Sequence, residues 1–409
     1  MAAKRQREII AAIVREAEQA AGAVEPRCRH FGDCGGCDIQ HLTYDAQLHV
    51  KRQLVEAALR EVPETSDCRV LDPVPASAQW RYRNKIEFTF DQRDDGGLIL
   101  GFSPKNKWWR RIDIEECHLC SERMLATTLA VKDWARRSGL PAYHQRRKEG
   151  FLRNLVLRES AATGDYLVNL VTNEGPFPAK EFAEVVGAFH PTGVMRTIQS
   201  RPTAAVVFEQ VEVLAGDPAL RECIAGLTFR LAPDAFFQTN SAMAQRLVAL
   251  VAEAAAPTGG ERLLDMFCGV GTMGLALAHR AKEIIGVESV EPAIVAAREN
   301  AAANDIRNAE FVCATARAYL REHAGEHCDI LILDPPRPGC GARVVRRLRE
   351  MRPPRIVYVS CNPQALAVDL ALFSDAYDIG PIQPVDLFPQ TLHVEAVVAM
   401  TARSPQGLH

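Results

Sequence analysis

The feature that most constrains the fold is a regular alternation of strand-like and helical stretches from residue 235 to the C-terminus. The strand-like runs are RLLDMF, EIIGVES, AEFVCA, CDILILDPP and RIVYVSC, and two further strands close the pattern. Strands that alternate with helices predict a parallel sheet covered on both faces, the doubly wound α/β architecture. Ligands of such sheets bind at the carboxyl ends of the strands, so the residues at those ends are the candidate functional residues.

The sequence pattern divides the chain into three regions, 1–27, 28–232 and 233–409. Residues 28–232 begin with a cysteine-rich stretch and then have mostly strand-like patterns, with helices expected near 121–137 and 179–188. We therefore expect a β-rich central domain in front of the α/β domain.

Two helices are expected before the central strands. Residues 4–21 form an amphipathic pattern, and the alternative is a strand left over from a further N-terminal domain. Residues 43–61 carry an apolar stripe, with Thr43 as N-cap. We expect this second helix to pack on the C-terminal domain.

Composition narrows the functional classes. A net charge of −3 and a pI of about 6.4 give no global attraction to nucleic acid, so a polyanion would be held by local patches. There is neither an apolar run of about 18 residues nor a signal-peptide pattern, so we expect a cytoplasmic protein without membrane contact. We also expect a monomer. In a reducing compartment the 12 cysteines are more readily buried, metal-bound or catalytic than paired.

A glycine turn after the first C-terminal strand predicts a nucleoside site. In LLDMFCGVGTMGLALA, Gly269 and Gly271 allow the backbone to approach a ligand closely. Glu288 ends the next strand, where a carboxylate can bind a ribose diol. Asp265, before the turn, would repel a pyrophosphate, which favours S-adenosylmethionine over NAD. A tight turn that binds nothing is the alternative.

Three more residues near strand ends carry candidate chemistry. Asp334 opens an Asp-Pro-Pro turn and would face the ligand crevice. Cys361 ends the fifth strand, as a nucleophile or, alternatively, as an inert core cysteine. Glu395 lies in the apolar run TLHVEAVVAM, expected to be a strand that places it on one face with His393. An ionised carboxylate there is costly unless it is paired or used.

A thiol, a carboxylate and a methyl donor together suit methylation of uracil at C5. A thiolate from Cys361 would add at C6, which makes C5 nucleophilic enough to take a methyl group. Glu395 would then remove the C5 proton so that the thiol can leave.

The stretch CRHFGDCGGC predicts a metal site. Cys28, Cys34 and Cys37 lie within ten residues, and intervening glycines let the backbone fold around them. Candidates for a fourth ligand are Cys117, Cys120 and, further off, Cys68. Zinc is the alternative to a [4Fe–4S] cluster, which the CGGC context favours.

These motifs resemble the class I uridine-5 RNA methyltransferases, which make 5-methyluridine in bacterial 23S ribosomal RNA and in transfer RNA. The resemblance runs from Cys28 almost to the end of the chain. It implies a Rossmann-like methyltransferase domain, Cys361 in VSCNP as nucleophile and Glu395 in HVEAVV as base. It implies that the cluster ligands are Cys28, Cys34, Cys37 and Cys117. Residues expected at the S-adenosylmethionine site are Gln238, Phe267, Thr272, Glu288, Thr315 and Asp334, besides Asp265, Gly269 and Gly271.

Many relatives carry an N-terminal RNA-binding TRAM domain, of which residues 1–27 would be at most a remnant, so RNA contacts are expected elsewhere. The strongest patch is FSPKNKWWRR, with Lys105, Lys107, Trp108, Trp109, Arg110 and Arg111 as the expected RNA-binding residues. Further basic runs lie at 144–158 and 342–355. Ribosomal RNA is the preferred substrate and transfer RNA the alternative. An amino-group methyltransferase and a non-catalytic iron–sulfur RNA-binding protein are competing hypotheses.

Overall fold

The computed structural model describes residues 2–93, 95–105, 107 and 109–404. In this part of the chain a pair of N-terminal helices precedes a central seven-stranded sheet, a small hairpin and an eight-stranded C-terminal sheet. Trp108, expected to bind RNA, lies outside the described residues. No described helix combines the length and apolar character needed to cross a membrane.

The N-terminal pair consists of α1 (Ala2–Ala21) and α2 (Tyr44–Arg60). Residues 4–21 are therefore helical, and the strand alternative is wrong. The Thr43 hydroxyl accepts a hydrogen bond from the Ala46 amide and caps α2, as predicted. Val55 and Leu59, on α2, are fully buried in the apolar cluster beneath the C-terminal sheet.

The central sheet has the strand order β3-β2-β1-β4-β5-β6-β7. Its strands are β1 (Lys85–Gln92), β2 (Leu98–Phe102), β3 (Ile112–Asp113), β4 (Leu152–Glu159), β5 (Tyr166–Thr172), β6 (Gly193–Ile198) and β7 (Gln210–Gly216). Neighbouring strands are antiparallel except β5 and β6. The predicted helices are confirmed as α3 (Glu122–Ser138) and α4 (Ala179–Gly187), where Trp134 and Phe182 pack with ring centroids 5.0 Å apart.

The hairpin β8 (Leu220–Ile224) and β9 (Leu227–Leu231) connects the two sheets. Its buried residues Phe229 and Leu231 belong to the same apolar cluster as Leu247, on the first helix of the C-terminal domain. The hairpin therefore packs with the C-terminal domain, and Leu167 and Met195 of the central sheet belong to the same cluster.

The C-terminal sheet has the order β12-β11-β10-β13-β14-β17-β15, and β16 also pairs with β17. Its strands are β10 (Arg262–Met266), β11 (Glu283–Glu288), β12 (Ala309–Cys313), β13 (Ile330–Leu333), β14 (Arg355–Ser360), β15 (Tyr377–Ile379), β16 (Gln383–Val385) and β17 (Glu395–Ala402). The connecting helices are α5 (Ser241–Ala255), α6 (Thr272–Leu277), α7 (Glu291–Ala303), α8 (Ala316–Glu322), α9 (Ala342–Met351) and α10 (Pro363–Phe373).

The first five strands of this sheet are parallel, and β17 inserts antiparallel to β14. Helices α5, α6 and α7 pack on one face, whereas α2, α8, α9 and α10 pack on the other. The predicted doubly wound α/β domain is thus confirmed. Its parallel strands all end at one edge, where the candidate residues lie.

Candidate active site

The turn between β10 and α6 has an unusual backbone. Phe267, Gly269 and Gly271 have positive φ angles of 68°, 54° and 85°. At Gly271 a Cβ atom would also lie 3.1 Å from the Phe311 ring. The positive φ therefore favours glycine at this position, and the tight contact adds to that preference.

Glu288 holds this turn in place from the end of β11. One carboxylate oxygen accepts a hydrogen bond from the Gly269 amide at 3.3 Å. The other accepts from the Ser289 and Val290 amides at 2.6 and 3.0 Å. The structure thus brings together the glycine turn and Glu288, as the sequence predicted.

Asp265 lies within β10 rather than at its end, and only 1% of its surface is exposed. One carboxylate oxygen accepts from the Gly274 amide of α6 at 2.8 Å. The other has no hydrogen-bond partner among the described residues. Burial raises the pKa of Asp265 to about 7, and the charges of Asp334 and Glu288 add to the shift. A buried acceptor without a donor fits a site completed by a polar ligand.

Asp334 follows β13 at the same edge, and burial raises its pKa to about 7. Asp265, Glu288 and Asp334 therefore lie at one edge of the sheet, and the charges of Asp334 and Glu288 act on Asp265. Three carboxylates at this edge suit a cationic ligand such as a sulfonium and repel phosphate. This fits S-adenosylmethionine, the ligand expected from the sequence.

Three other expected cofactor residues tie segments together or lie at the start of neighbouring helices. The Gln238 carbonyl accepts from the Asn84 side chain at 2.9 Å, which ties its segment to the central domain. Thr272 is the first residue of α6. Thr315 is exposed, and its hydroxyl caps α8 by accepting from the Ala318 amide at 3.2 Å.

Cys361 and Glu395 lie at adjacent strand ends. Ser360 on β14 pairs with Ala396 on β17, so the next step of this register sets Cys361 opposite Glu395. Cys361 is partly exposed, whereas only 4% of Glu395 is. The antiparallel β17 therefore brings together a thiol and a carboxylate that are 34 positions apart in the sequence.

Both groups hold their protons tightly. Burial raises the pKa of the Cys361 thiol to about 11, and the Glu395 charge adds to this. Burial also raises the pKa of Glu395 to about 8, with a further contribution from Asp334. The positive charge of Arg337 opposes both shifts.

Arg337 is a residue that sequence reasoning missed. It directly follows the Asp-Pro-Pro turn, and its carbonyl accepts from the Asn362 side chain at 2.9 Å, beside Cys361. Its position directly after the Asp-Pro-Pro motif is the sequence feature that could have identified it.

The expectation for His393 is wrong. The strand β17 begins at Glu395, so His393 lies in the preceding loop and does not share a strand face with Glu395. The cause is hydrogen bonding, because the amides of Leu392 and His393 donate to the side chains of Asp38 and Thr391 instead of to a neighbouring strand.

Four of the candidate metal ligands line one small cavity. These are Cys28, Cys34, Cys37 and Cys117, and the thiols interact electrostatically with one another. Arg83 also lines this cavity, and within the described part of the chain its Nε has no hydrogen-bond acceptor. An unpartnered buried cation donor fits an anionic group in the cavity.

The rival ligands lie elsewhere. Cys120 is fully buried in the central core and does not line the cavity, and its thiol lowers the pKa of Cys117 by hydrogen bonding. Cys68 packs on the apolar cluster of the C-terminal sheet. Across the described residues, however, no three potential ligands are close enough together to hold a single metal ion.

The patch at 102–111 presents exposed cations, Lys107 and Arg110 among them. Lys105 forms an ion pair of 2.7 Å with Asp38. Trp109 is 53% exposed and lines a surface cavity with Arg111 and Tyr143.

The basic runs at 144–158 and 342–355 contribute less than expected. Arg153 is 3% exposed and donates to the carbonyls of residues 199, 201 and 203, while Arg158 is 5% exposed and donates to carbonyls near Ala235. In the second run Arg347 and Arg349 pair with carboxylates. Arg153 and Arg158 therefore stabilise the fold instead of offering free charge to RNA.

The fold together with the glycine turn and acidic strand ends defines an S-adenosylmethionine-dependent methyltransferase. Residues 219–403 match the sequence model of the family described as tRNA (Uracil-5-)-methyltransferase. An uncharacterized RNA methyltransferase of Caldanaerobacter subterraneus is 35% identical over 393 residues, covering 94% of this chain and 86% of that protein. One of Thermosynechococcus vestitus is 37% identical over 388 residues, covering 92% and 84%.

A solved structure extends this similarity to the whole fold. The tRNA (uracil-54, C5)-methyltransferase of Pyrococcus abyssi, in complex with S-adenosyl-L-homocysteine, has a TM-score of 0.75 and 34% identity. The match covers 90% of this chain and 86% of the Pyrococcus chain. The chain therefore belongs to the class I uridine-5 RNA methyltransferase family and is an RNA (uracil-5-)-methyltransferase.

Proposed function

We propose that this enzyme methylates C5 of a specific uridine in RNA, with Cys361 as nucleophile and Glu395 as base. The observation that carries the proposal is the strand register that sets these two residues opposite each other at the ligand edge. S-adenosylmethionine, when bound, supplies the methyl group together with a positive charge. Residues Asp265, Glu288 and Asp334 would hold it.

The protein residues act in a fixed order. Cys361, which is partly exposed, loses its proton to water, and its sulfur bonds to C6 of uracil, so that C5 becomes nucleophilic and is methylated. The Glu395 carboxylate then takes the C5 proton. The C5=C6 bond re-forms as the C6–S bond breaks, and Cys361 leaves as a thiolate. Arg337 lies where it can stabilise that thiolate, because it lowers the thiol pKa.

Two RNA classes remain as candidates. Ribosomal RNA is the substrate expected from the sequence. The Pyrococcus abyssi enzyme acts on transfer RNA, which favours that class as the second candidate.

The test of this proposal is nucleoside mass spectrometry of ribosomal and transfer RNA from cells with and without the gene. Loss of 5-methyluridine from one fraction, restored by the wild-type gene but not by Cys361→Ala, would support the mechanism and choose the RNA. If Cys361→Ala restored the modification, Cys361 would not be the nucleophile and the proposal would fail.

We further propose that Cys28, Cys34, Cys37 and Cys117 hold a [4Fe–4S] cluster. The shared cavity and the unpartnered Arg83 Nε support it.

We also propose that the surface around Trp109 contacts the RNA. The cavity there combines Trp109 and Tyr143 with Arg111 and Arg146. Aromatic faces beside cations suit stacking on unpaired bases and contact with phosphates.

A further inference from the structure

The loop of residues 386–393 directly precedes the proposed base Glu395. Its first residue, Asp386, is fully buried and forms an ion pair with the equally buried Lys51 of α2. The Tyr44 hydroxyl also donates to Asp386 at 2.9 Å, and Lys51 donates to the Phe388 carbonyl at 2.9 Å. Helix α2 thus fixes the start of the loop.

Gln47, one turn before Lys51 on α2, fixes the middle of the loop through Gln390. The Gln390 amide donates to the Gln47 side-chain oxygen at 3.0 Å. The Gln47 side-chain nitrogen donates to the Gln390 side-chain oxygen at 2.9 Å. Both side chains are almost wholly buried, at 2% and 1% exposure, so this reciprocal pair is shielded from competing water.

The segment that follows the cysteine motif holds the same loop from the other side. The amides of Asp38 and Ile39 donate to the Gln390 carbonyl at 2.7 and 3.1 Å. The Asp38 carboxylate accepts from the Leu392 amide at 3.1 Å. Asp38 directly follows Cys37, so the cysteine site and the loop before Glu395 share a backbone connection.

Two further parts of the chain contribute one hydrogen bond each. The Tyr82 hydroxyl of the central domain donates to the Pro389 carbonyl at 3.0 Å. The Asn240 side chain, before α5, donates to the Leu387 carbonyl at 2.9 Å. Four separate parts of the chain therefore hold a loop that would otherwise be expected to be mobile.

We propose that Gln47 and Asp38 are positioning residues for Glu395. Through the loop 386–393 they hold the carboxylate where it can reach the C5 proton. This inference rests on the proposed function. Proton transfer requires hydrogen-bond geometry, so a displacement of about 1 Å can slow the step by up to about a hundredfold.

The mechanism provides a readout that general destabilisation does not produce. Without a well-placed base, the methylated uracil stays bonded to the Cys361 sulfur, because the C6–S bond breaks only after the C5 proton is removed. A Gln47→Leu variant should therefore accumulate a denaturation-resistant protein–RNA adduct. We expect kcat to fall by about tenfold or more while KM for the RNA changes little.

The experiment incubates full-length protein with S-adenosylmethionine and substrate RNA, and measures the adduct on denaturing gels. Glu395→Gln is the positive control, because it removes the base itself. Val55→Ala is the matched control, since Val55 is fully buried on the same helix but packs on the C-terminal sheet. It should lower the melting temperature without raising the adduct fraction.

Asp38→Ala provides a second variant that leaves the core intact, since the Asp38 side chain is 21% exposed. Its iron content is measured as well, to separate loss of the loop contact from loss of the cysteine site. If Glu395→Gln accumulates adduct but neither Gln47→Leu nor Asp38→Ala does, the inference is wrong. An equal rise of the adduct fraction in Val55→Ala would also overturn the inference. If Glu395→Gln forms no adduct, the proposed function itself fails and takes the inference with it.

Discussion

At the scale of single residues, burial raises the pKa values of two carboxylates in the site to near neutral pH. The pKa values of Asp265 and Asp334 are raised to about 7, so both groups are partly protonated at neutral pH. Each would be stabilised in its charged form by a nearby cation. Ligand charge and carboxylate ionisation should therefore be linked.

The affinity for S-adenosylmethionine should rise with pH between about 6 and 8. Below pH 7 Asp265 and Asp334 become protonated and lose the charge that attracts the sulfonium, so a cationic ligand binds more weakly. S-adenosylhomocysteine carries no sulfonium and should show a much smaller change. We expect the ratio of the two affinities to increase several-fold in titration calorimetry. A constant ratio across this range would show that the carboxylates do not face the sulfonium.

At the scale of structural elements, the turn that carries Cys117 and Cys120 decides which cysteine faces the cavity. The Arg81 guanidinium donates to the carbonyls of both cysteines, at 2.7 and 2.9 Å, and so fixes the turn. Cys117 points to the cavity and Cys120 into the core. The two residues therefore form a matched pair for mutagenesis.

Cys117→Ser should abolish iron and sulfide binding, whereas Cys120→Ser should retain it. A serine hydroxyl replaces a thiolate poorly as a cluster ligand, but at Cys120 it changes only the packing and the hydrogen bond to Cys117. Iron and acid-labile sulfide are measured after anaerobic purification. Retention of the full iron content in Cys117→Ser would contradict the assignment of Cys117 as a ligand. Zinc without sulfide in the wild type would show that the site holds a single zinc ion instead of a cluster.

At the scale of the whole molecule, strand β1 separates the proposed RNA-contact surface from the Gln238 segment. The strand starts beside Asn84, which bonds the Gln238 segment, and reaches the Trp109 cavity near Phe90. At about 3.3 Å per residue this is a distance of about 20 Å. An RNA that contacts both places would therefore have to span several nucleotides.

Trp109→Ala should raise KM for the RNA several-fold and leave KM for S-adenosylmethionine unchanged. Stacking of a base on an aromatic ring contributes about 1–3 kcal/mol, and none of it acts on the methyl donor. Steady-state kinetics on the RNA substrate measure both constants. Val213→Ala, a similarly exposed apolar side chain at 50% on the same sheet, is the control. An equal KM change in both variants would exclude a specific contact at Trp109.

The α/β domain, and the meeting of its candidate residues at one edge of the sheet, could be predicted from the sequence. Strand and helix periodicity are local, and parallel strands end at one edge, so Asp265, Glu288, Asp334 and Cys361 could be placed together without a structure. The glycine turn could be recognised for the same reason, because positive φ angles depend on residue type.

The contacts between distant residues, and the burial of charged side chains, were revealed only by the tertiary structure. The antiparallel insertion of β17 sets Glu395 opposite Cys361, and the contacts of Gln47 with Gln390 join residues 343 positions apart. Similarly, Arg153 looked like an RNA contact until its burial showed a structural role. These relations depend on long-range pairing and burial, which the chain acquires only when distant segments pack together, so no local pattern could reveal them.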